Sequence, residues 1–215
     1  MESIEKIIAR HLLEINAVRL NAEKPYIWSS GWRSPIYCDN RKTLSYPNVR
    51  KIIYENLANV VRKHFASVDV IAGVATGAIA HGILVAELLQ KPFVYVRPTP
   101  KSHGLRNSVE GELPTGSKVV IIEDLISTGQ SSLSVVEVLR KAGADVLGMV
   151  AIFSYGFDVA RHNFENANCL LYTLSNYNAL IDEALACNYI ESKDVETLKQ
   201  WREAPDKWGE MTGGN

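Results

Sequence analysis

Apolar residues recur along this chain in two different periods, and the changes between them lay out its elements. Ile4, Ile7, Ile8, Leu12 and Ile15 fall on one helical face, with Ser3 as a candidate N-cap. Val49, Ile52, Ile53, Leu57, Val60 and Val61 repeat that spacing. Between these helices, residues 26–41 break the period. Their aromatic residues, Gly31 and Pro35 predict a short hairpin or an extended hood. From residue 68 the pattern alternates. Apolar runs at 68–74, 92–96, 118–124, 145–153 and 169–174 predict strands. Segments 77–90 and 131–143 predict helices, the second closed by Gly143. Residues 97–117 are polar and read as a long loop, and a polar gap precedes the strand at 169. Two more helices are expected at 179–186 and 193–202, followed by a frayed tail, 208–215.

Strands that alternate with helices imply βαβ units. The expected fold is therefore α/β, a parallel sheet with helices on both faces. In such sheets ligands bind beyond the carboxyl ends of the strands. At 215 residues the chain fits one large domain, given about 100–200 residues per domain. Hydrophobic residues make up 47% and charged residues 22%, enough apolar mass for a core. A net charge of −1 argues against broad electrostatic binding of nucleic acid. Cys38, Cys169 and Cys187 lie far apart with no ligand-like spacing, which suits reduced thiols in a reducing compartment. Glu2, Glu5 and Lys6 interrupt the apolar N-terminus, which is no signal peptide, and no run approaches the ~18 apolar residues of a membrane span. A cytoplasmic location is expected.

The chemistry concentrates after the strand Val119, Val120, Ile121, Ile122. Two carboxylates, Glu123 and Asp124, are followed by small residues, Ser127, Thr128, Gly129, Gln130 and Ser131, that lead into a helix. Small residues at such a turn leave backbone N–H groups uncovered, and the helix N-terminus adds roughly half a positive charge. Together they suit a terminal phosphate. The segment is neither a Walker A loop nor a G-x-G-x-x-G turn. Ionised carboxylates only accept hydrogen bonds, so they suit the 2- and 3-hydroxyls of a ribose whose 5-phosphate sits in the loop. Negative charge beneath that ring also favours a cation developing at the anomeric carbon. An ordinary turn with two solvated acids is the bland alternative.

The string VVIIEDLISTGQSS, 119–132, resembles the phosphoribosyl pyrophosphate signature of type I phosphoribosyltransferases. SSGWRSPIYCDNR, 29–41, and YVRPTPKSHGLRNSVEG, 95–111, resemble the orotate branch of that family. The likeness runs in order along most of the chain and is weakest after Phe153. It implies the type I fold, with 1–215 as one domain whose hood comes from about residues 1–45 and C-terminal elements. It implies transfer of the phosphoribosyl group from 5-phospho-α-D-ribose 1-diphosphate to orotate, giving orotidine 5-monophosphate and diphosphate in pyrimidine synthesis. The purine enzymes of the family share the signature; the hood and the lid favour orotate. A non-catalytic sensor of the same ligand should have lost its lid cations or gained a basic DNA-binding module, and neither is seen.

The resemblance also implies residue roles. Glu123, Asp124, Leu125, Ile126, Ser127, Thr128, Gly129, Gln130 and Ser131 match the phosphoribosyl signature, and Ser127 is the orotate contact. Arg97, Lys101 and His103 match a lid that closes over the diphosphate, in the family often on a neighbouring subunit's site. Cations suit that leaving group: Arg97 can bind bidentately, Lys101 adds a point charge, and His103 can donate a proton. Asp124, Lys101 and His103 are the catalytic candidates. GVATGAIAHG, from Gly73, would face diphosphate oxygens, although close helix–strand packing explains its small residues equally well. The aromatic hood, with Trp28, Trp32 and Tyr37, suits either a planar pyrimidine or core packing. Magnesium would be held mainly by substrate oxygens, with no dedicated protein metal site. A homodimer is implied. The chain departs from enterobacterial-type members at Ser29, Thr76 and Pro98, where lysines stand, and at Tyr155, where an arginine meets orotate. The groups that meet the orotate carboxylate are therefore left open.

Overall fold

The structure, a computed structural model, describes residues 2–28, 31–97 and 108–208. In chain order the elements are α1 (Ile4–Glu14), β1 (Val18–Leu20), β2 (Tyr26–Ile27), β3 (Arg33–Ser34), β4 (Ile36–Cys38), α2 (Pro47–His64), β5 (Val70–Val74), α3 (Ile79–Leu89), β6 (Phe93–Val96), β7 (Val109–Glu110), β8 (Lys118–Ile126), α4 (Gln130–Lys141), β9 (Asp145–Ser154), α5 (Asp158–Asn166), β10 (Leu170–Asn176), α6 (Tyr177–Ala186) and α7 (Ser192–Glu203). They fall into two compact units, residues 44–174 and residues 1–43 with 175–215.

The larger unit is built on a six-stranded sheet in the order β10-β9-β8-β5-β6-β7. Strands β6, β5, β8 and β9 pair in parallel. They carry near-continuous buried apolar residues, Ile71 and Ala72 in β5 and Val119 to Ile122 in β8, as a sheet covered on both faces requires. Helix α2 packs with α3, and α4 with α5. From β5 the chain moves outward to β6, then returns across to β8 and proceeds the other way to β9. The topological switch point therefore lies between β5 and β8, where open α/β sheets place their ligands.

Two segments differ from the sequence expectation. The polar stretch 97–117 is not wholly loop, because β7 runs antiparallel to β6, with Tyr95 opposite Glu110 and Val96 opposite Val109. Only two residues pair there, too few to show an alternation. The polar gap before β10 contains α5, whose buried Ala160 and Phe164 stand one helical turn apart. That spacing was present in the sequence, but two apolar positions among charged ones give a weak signal.

The smaller unit holds the two short hairpins, β1 with β4 and β2 with β3. Helix α1 packs on α6 and α6 on α7. Its core is aromatic. Trp28 stacks near Trp32, with ring centres 6.3 Å apart, and meets the edge of Trp201 at 5.6 Å. Tyr177 is buried beside Trp201 and donates its hydroxyl to the Leu198 carbonyl.

Candidate active site

Strand β8 runs past its apolar core through Glu123 and Asp124 to Ile126. Successive strand residues point to opposite faces, so the two acids part company. Glu123 turns toward α4. Its Oε2 accepts from the Ser132 hydroxyl at 2.8 Å, its Oε1 accepts from the Asp124 N–H at 2.9 Å, and the residue is 5% exposed. Burial, with the neighbouring Asp124 carboxylate, pushes the Glu123 carboxyl up to about 8. The pair is therefore not two equivalent ionised acceptors, as its sequence suggests. It is one half-buried acid and one buried acid that holds its proton near neutral pH.

Asp124 turns the other way, over the turn that follows β5. A side chain at Gly77 would collide with the Asp124 carboxylate, so only glycine lets that backbone approach. This contact brings GVATGAIAHG and the signature string together at the switch point. Thr76 is exposed on the same turn. The first turn of α3 follows directly.

The loop after β8 is shaped by α5. Gly129 sits at φ +81° as the N-cap of α4, and a Cβ there would come within 2.8 Å of the Phe164 ring. The Asn163 amide donates to the Thr128 carbonyl at 2.9 Å. No side chain caps α4, and no acid occupies its first turn. The exposed residues Gln130 and Ser131 open that helix, beside half-buried Ser127 and Thr128. The arrangement offers backbone N–H groups and a helix dipole to an anion, a few residues from an acid.

Arg97 ends β6 at the same edge of the sheet. Its N–H donates to the Ser108 carbonyl at 2.8 Å, which adds one more hydrogen bond to the β6–β7 pair. Its Nε lies 3.7 Å from Glu110 Oε1, and its guanidinium carbon lies 5.6 Å from the Tyr95 ring centre. Lys101, His103, Ser29 and Pro98, like the tail 209–215, lie outside the described residues. Tyr155 is buried in an aromatic row, stacked on Phe157 at 5.5 Å and edge-on to Phe153 at 5.7 Å. The sequence reading missed Gly77 as a partner of Asp124 and missed Asn163 and Phe164 as braces of the loop. Only the i, i+4 pair of Ala160 and Phe164 hinted at α5.

Comparison with known proteins fits this geometry. Residues 42–186 match the family model described as phosphoribosyl transferase domain. The orotate phosphoribosyltransferase of Porphyromonas gingivalis is 55% identical over 209 residues, covering 97% of this chain and 100% of that one. The orotate phosphoribosyltransferase of Listeria innocua is 52% identical over 207 residues, covering 96% and 99%. Among solved structures, orotate phosphoribosyltransferase from Aeropyrum pernix superposes with a TM-score of 0.74 at 29% identity, covering 86% of this chain and 99% of that chain.

Proposed function

Because the chain belongs to the phosphoribosyltransferase family, in its orotate branch, we infer that it transfers the phosphoribosyl group of 5-phospho-α-D-ribose 1-diphosphate to N1 of orotate. The products are orotidine 5-monophosphate and diphosphate, a step of pyrimidine synthesis. The enzyme is a pentosyl transferase. Residues 1–215 are taken as one catalytic domain, a reading supported by relatives that align over 97% of the chain.

The observation that carries the residue assignment is the Asp124 carboxylate lying against Gly77 at the switch point, between the uncapped starts of α3 and α4. The 5-phosphate is assigned to the turn of Ser127, Thr128, Gly129, Gln130 and Ser131, with Leu125 and Ile126 carrying the backbone into it. Glu123 and Asp124 are assigned to the ribose hydroxyls, Asp124 as an acceptor and the protonated Glu123 through its O–H and the acceptor capacity its other oxygen keeps. Asp124 also favours positive charge developing at the anomeric carbon as the diphosphate departs. Arg97, Lys101 and His103 are assigned to that leaving group, and Ser127 to orotate. Exclusion of water would protect the oxocarbenium-like centre from hydrolysis.

Magnesium fits this donor set. Among the described residues no group of three His, Cys, Asp or Glu gathers, and magnesium takes one or two carboxylates when phosphates and water supply the rest. When bound, it would offset the negative charge of the departing diphosphate. Asp124 is the carboxylate that would help hold it, since Glu123 is buried and keeps its proton near neutral pH. A homodimer whose lid completes the neighbouring site is part of this reading, and it rests on the family likeness. A cytoplasmic location goes with it, in keeping with three free cysteines. Among the described residues no helix is long and apolar enough to cross a membrane.

The test is loss of orotate absorbance when the protein meets magnesium and the phosphoribosyl donor, with adenine, guanine, hypoxanthine and uracil as competing bases. Orotate should be consumed and the others spared. Consumption of a purine with orotate untouched would overturn the assignment.

A further inference from the structure

The function above leaves one well-built contact without a role. Helix α5 sends two adjacent side chains to the phosphate turn. The Asn163 amide donates to the Thr128 carbonyl at 2.9 Å, and the Phe164 ring packs against Gly129 so closely that no Cβ would fit. Among the described residues the cis peptide is Ala75–Thr76, so the Thr128–Gly129 peptide is trans. In a trans peptide the C=O and N–H point in opposite directions. Fixing the Thr128 carbonyl onto α5 therefore aims the Gly129 N–H away from α5, toward the open side of the turn. No group among the described residues accepts from that N–H. Gly129, at φ +81°, has the widest backbone freedom of the turn, so without an anchor this peptide plane would rotate at low cost.

We propose that Asn163 is a positioning residue for phosphate recognition: by holding the Thr128 carbonyl it presets the Gly129 N–H to donate to the 5-phosphate. The proposal rests on the assignment of the turn to that phosphate. Asn163 itself touches no substrate. It lowers the entropic penalty of ordering the donor, which is how preorganisation strengthens binding. The group it serves is a phosphomonoester, so ligands without one should not sense its loss.

The experiment compares wild type with Asn163→Leu and Asn163→Asp. Both approximate the size of asparagine and neither can donate from an amide; leucine is neutral and aspartate is not, so agreement between them excludes a pure charge effect. Binding of orotidine 5-monophosphate, orotidine and inorganic phosphate is measured by titration calorimetry, and thermal midpoints are recorded. Orotidine 5-monophosphate and inorganic phosphate should each bind about tenfold more weakly in both variants, the scale of one lost hydrogen bond. Orotidine affinity and the KM for orotate should stay within about twofold. Unchanged affinity for both phosphate-bearing ligands would overturn the proposal. So would equal weakening of orotidine, which a merely loosened fold would produce. If wild type failed to consume orotate, the function reading would fall, while the phosphate titration would still decide the role of Asn163.

Discussion

Glu123 and Glu183 are equally buried, each 5% exposed, yet their surroundings are opposite. Glu183, in the smaller unit, accepts from Arg10 Nε at 2.6 Å, and Arg10 also pairs with Glu2. Glu123, in the larger unit, has no ion pair among the described residues. Burial, and then the neighbouring Asp124 carboxylate, raise its carboxyl. The helix starts show the same contrast. In the smaller unit every described helix has a side-chain cap: Ser3 on α1, Asn176 on α6 and a reciprocal Glu191–Asp194 box on α7. In the larger unit none has one. Helix α2 begins with Pro47, and α5 carries Asp158 in its first turn. Helices α3 and α4, at the carboxyl ends of β5 and β8, have no such compensation. The smaller unit caps its α-helices and pairs its buried Glu183 with Arg10, which serves stability. The larger unit leaves the starts of α3 and α4 without a side-chain cap where they meet Asp124, an arrangement open to a polyanionic sugar.

The strongest way to break this comparison is Asp124→Asn. Turnover should fall about a hundredfold or more, because charge near the developing cation is lost, while the thermal midpoint stays close to that of wild type. Near-normal turnover would show that the open acid is not used. Next, Ser131→Glu puts an acid into the bare first turn of α4. The helix should gain about 0.3–1 kcal/mol, read by chemical denaturation, while the KM for the phosphoribosyl donor rises about tenfold. A gain in stability with no loss in affinity would remove α4 from phosphate binding. The mirror experiment is Asn176→Ala, which removes a cap from the smaller unit. It should cost about 1 kcal/mol of stability and leave both KM values unchanged.

The remaining prediction concerns Glu123 and is read by pH rather than by activity. Its folded carboxyl titrates near 8, above the ordinary value of 4.5, so the folded state holds a proton that the unfolded chain releases first. The resulting stability is fully present below about 4.5 and is lost as pH rises through about 8. Thermal midpoints of wild type should therefore decline across that window relative to Glu123→Gln. Parallel profiles would show that burial does not raise this carboxyl.

Much of the site was legible before any coordinates. Four apolar residues before Glu123 marked a strand end, and small residues after Asp124 marked a turn into a helix; both are local signals. Two features were not legible. Glu123 and Asp124 are adjacent in sequence and look alike, but strand alternation sends one under α4 and the other to the turn at Gly77. Which face is closed depends on strand order. Likewise, Asn163 and Gly129 lie 34 residues apart, and nothing near Asn163 in the chain announces a loop to be braced.

The sequence by itself determined the alternation of strands and helices, the acid pair, the small-residue turn and the family likeness, because each depends on neighbouring residues or on residues one helical turn apart. Only the tertiary structure decided that β8 lies beside β5, that one acid is buried and the other lies over Gly77, and that α5 braces the turn at Thr128 and Gly129. Those facts depend on which distant segments share the limited space around one sheet, and packing, not local preference, sets that choice.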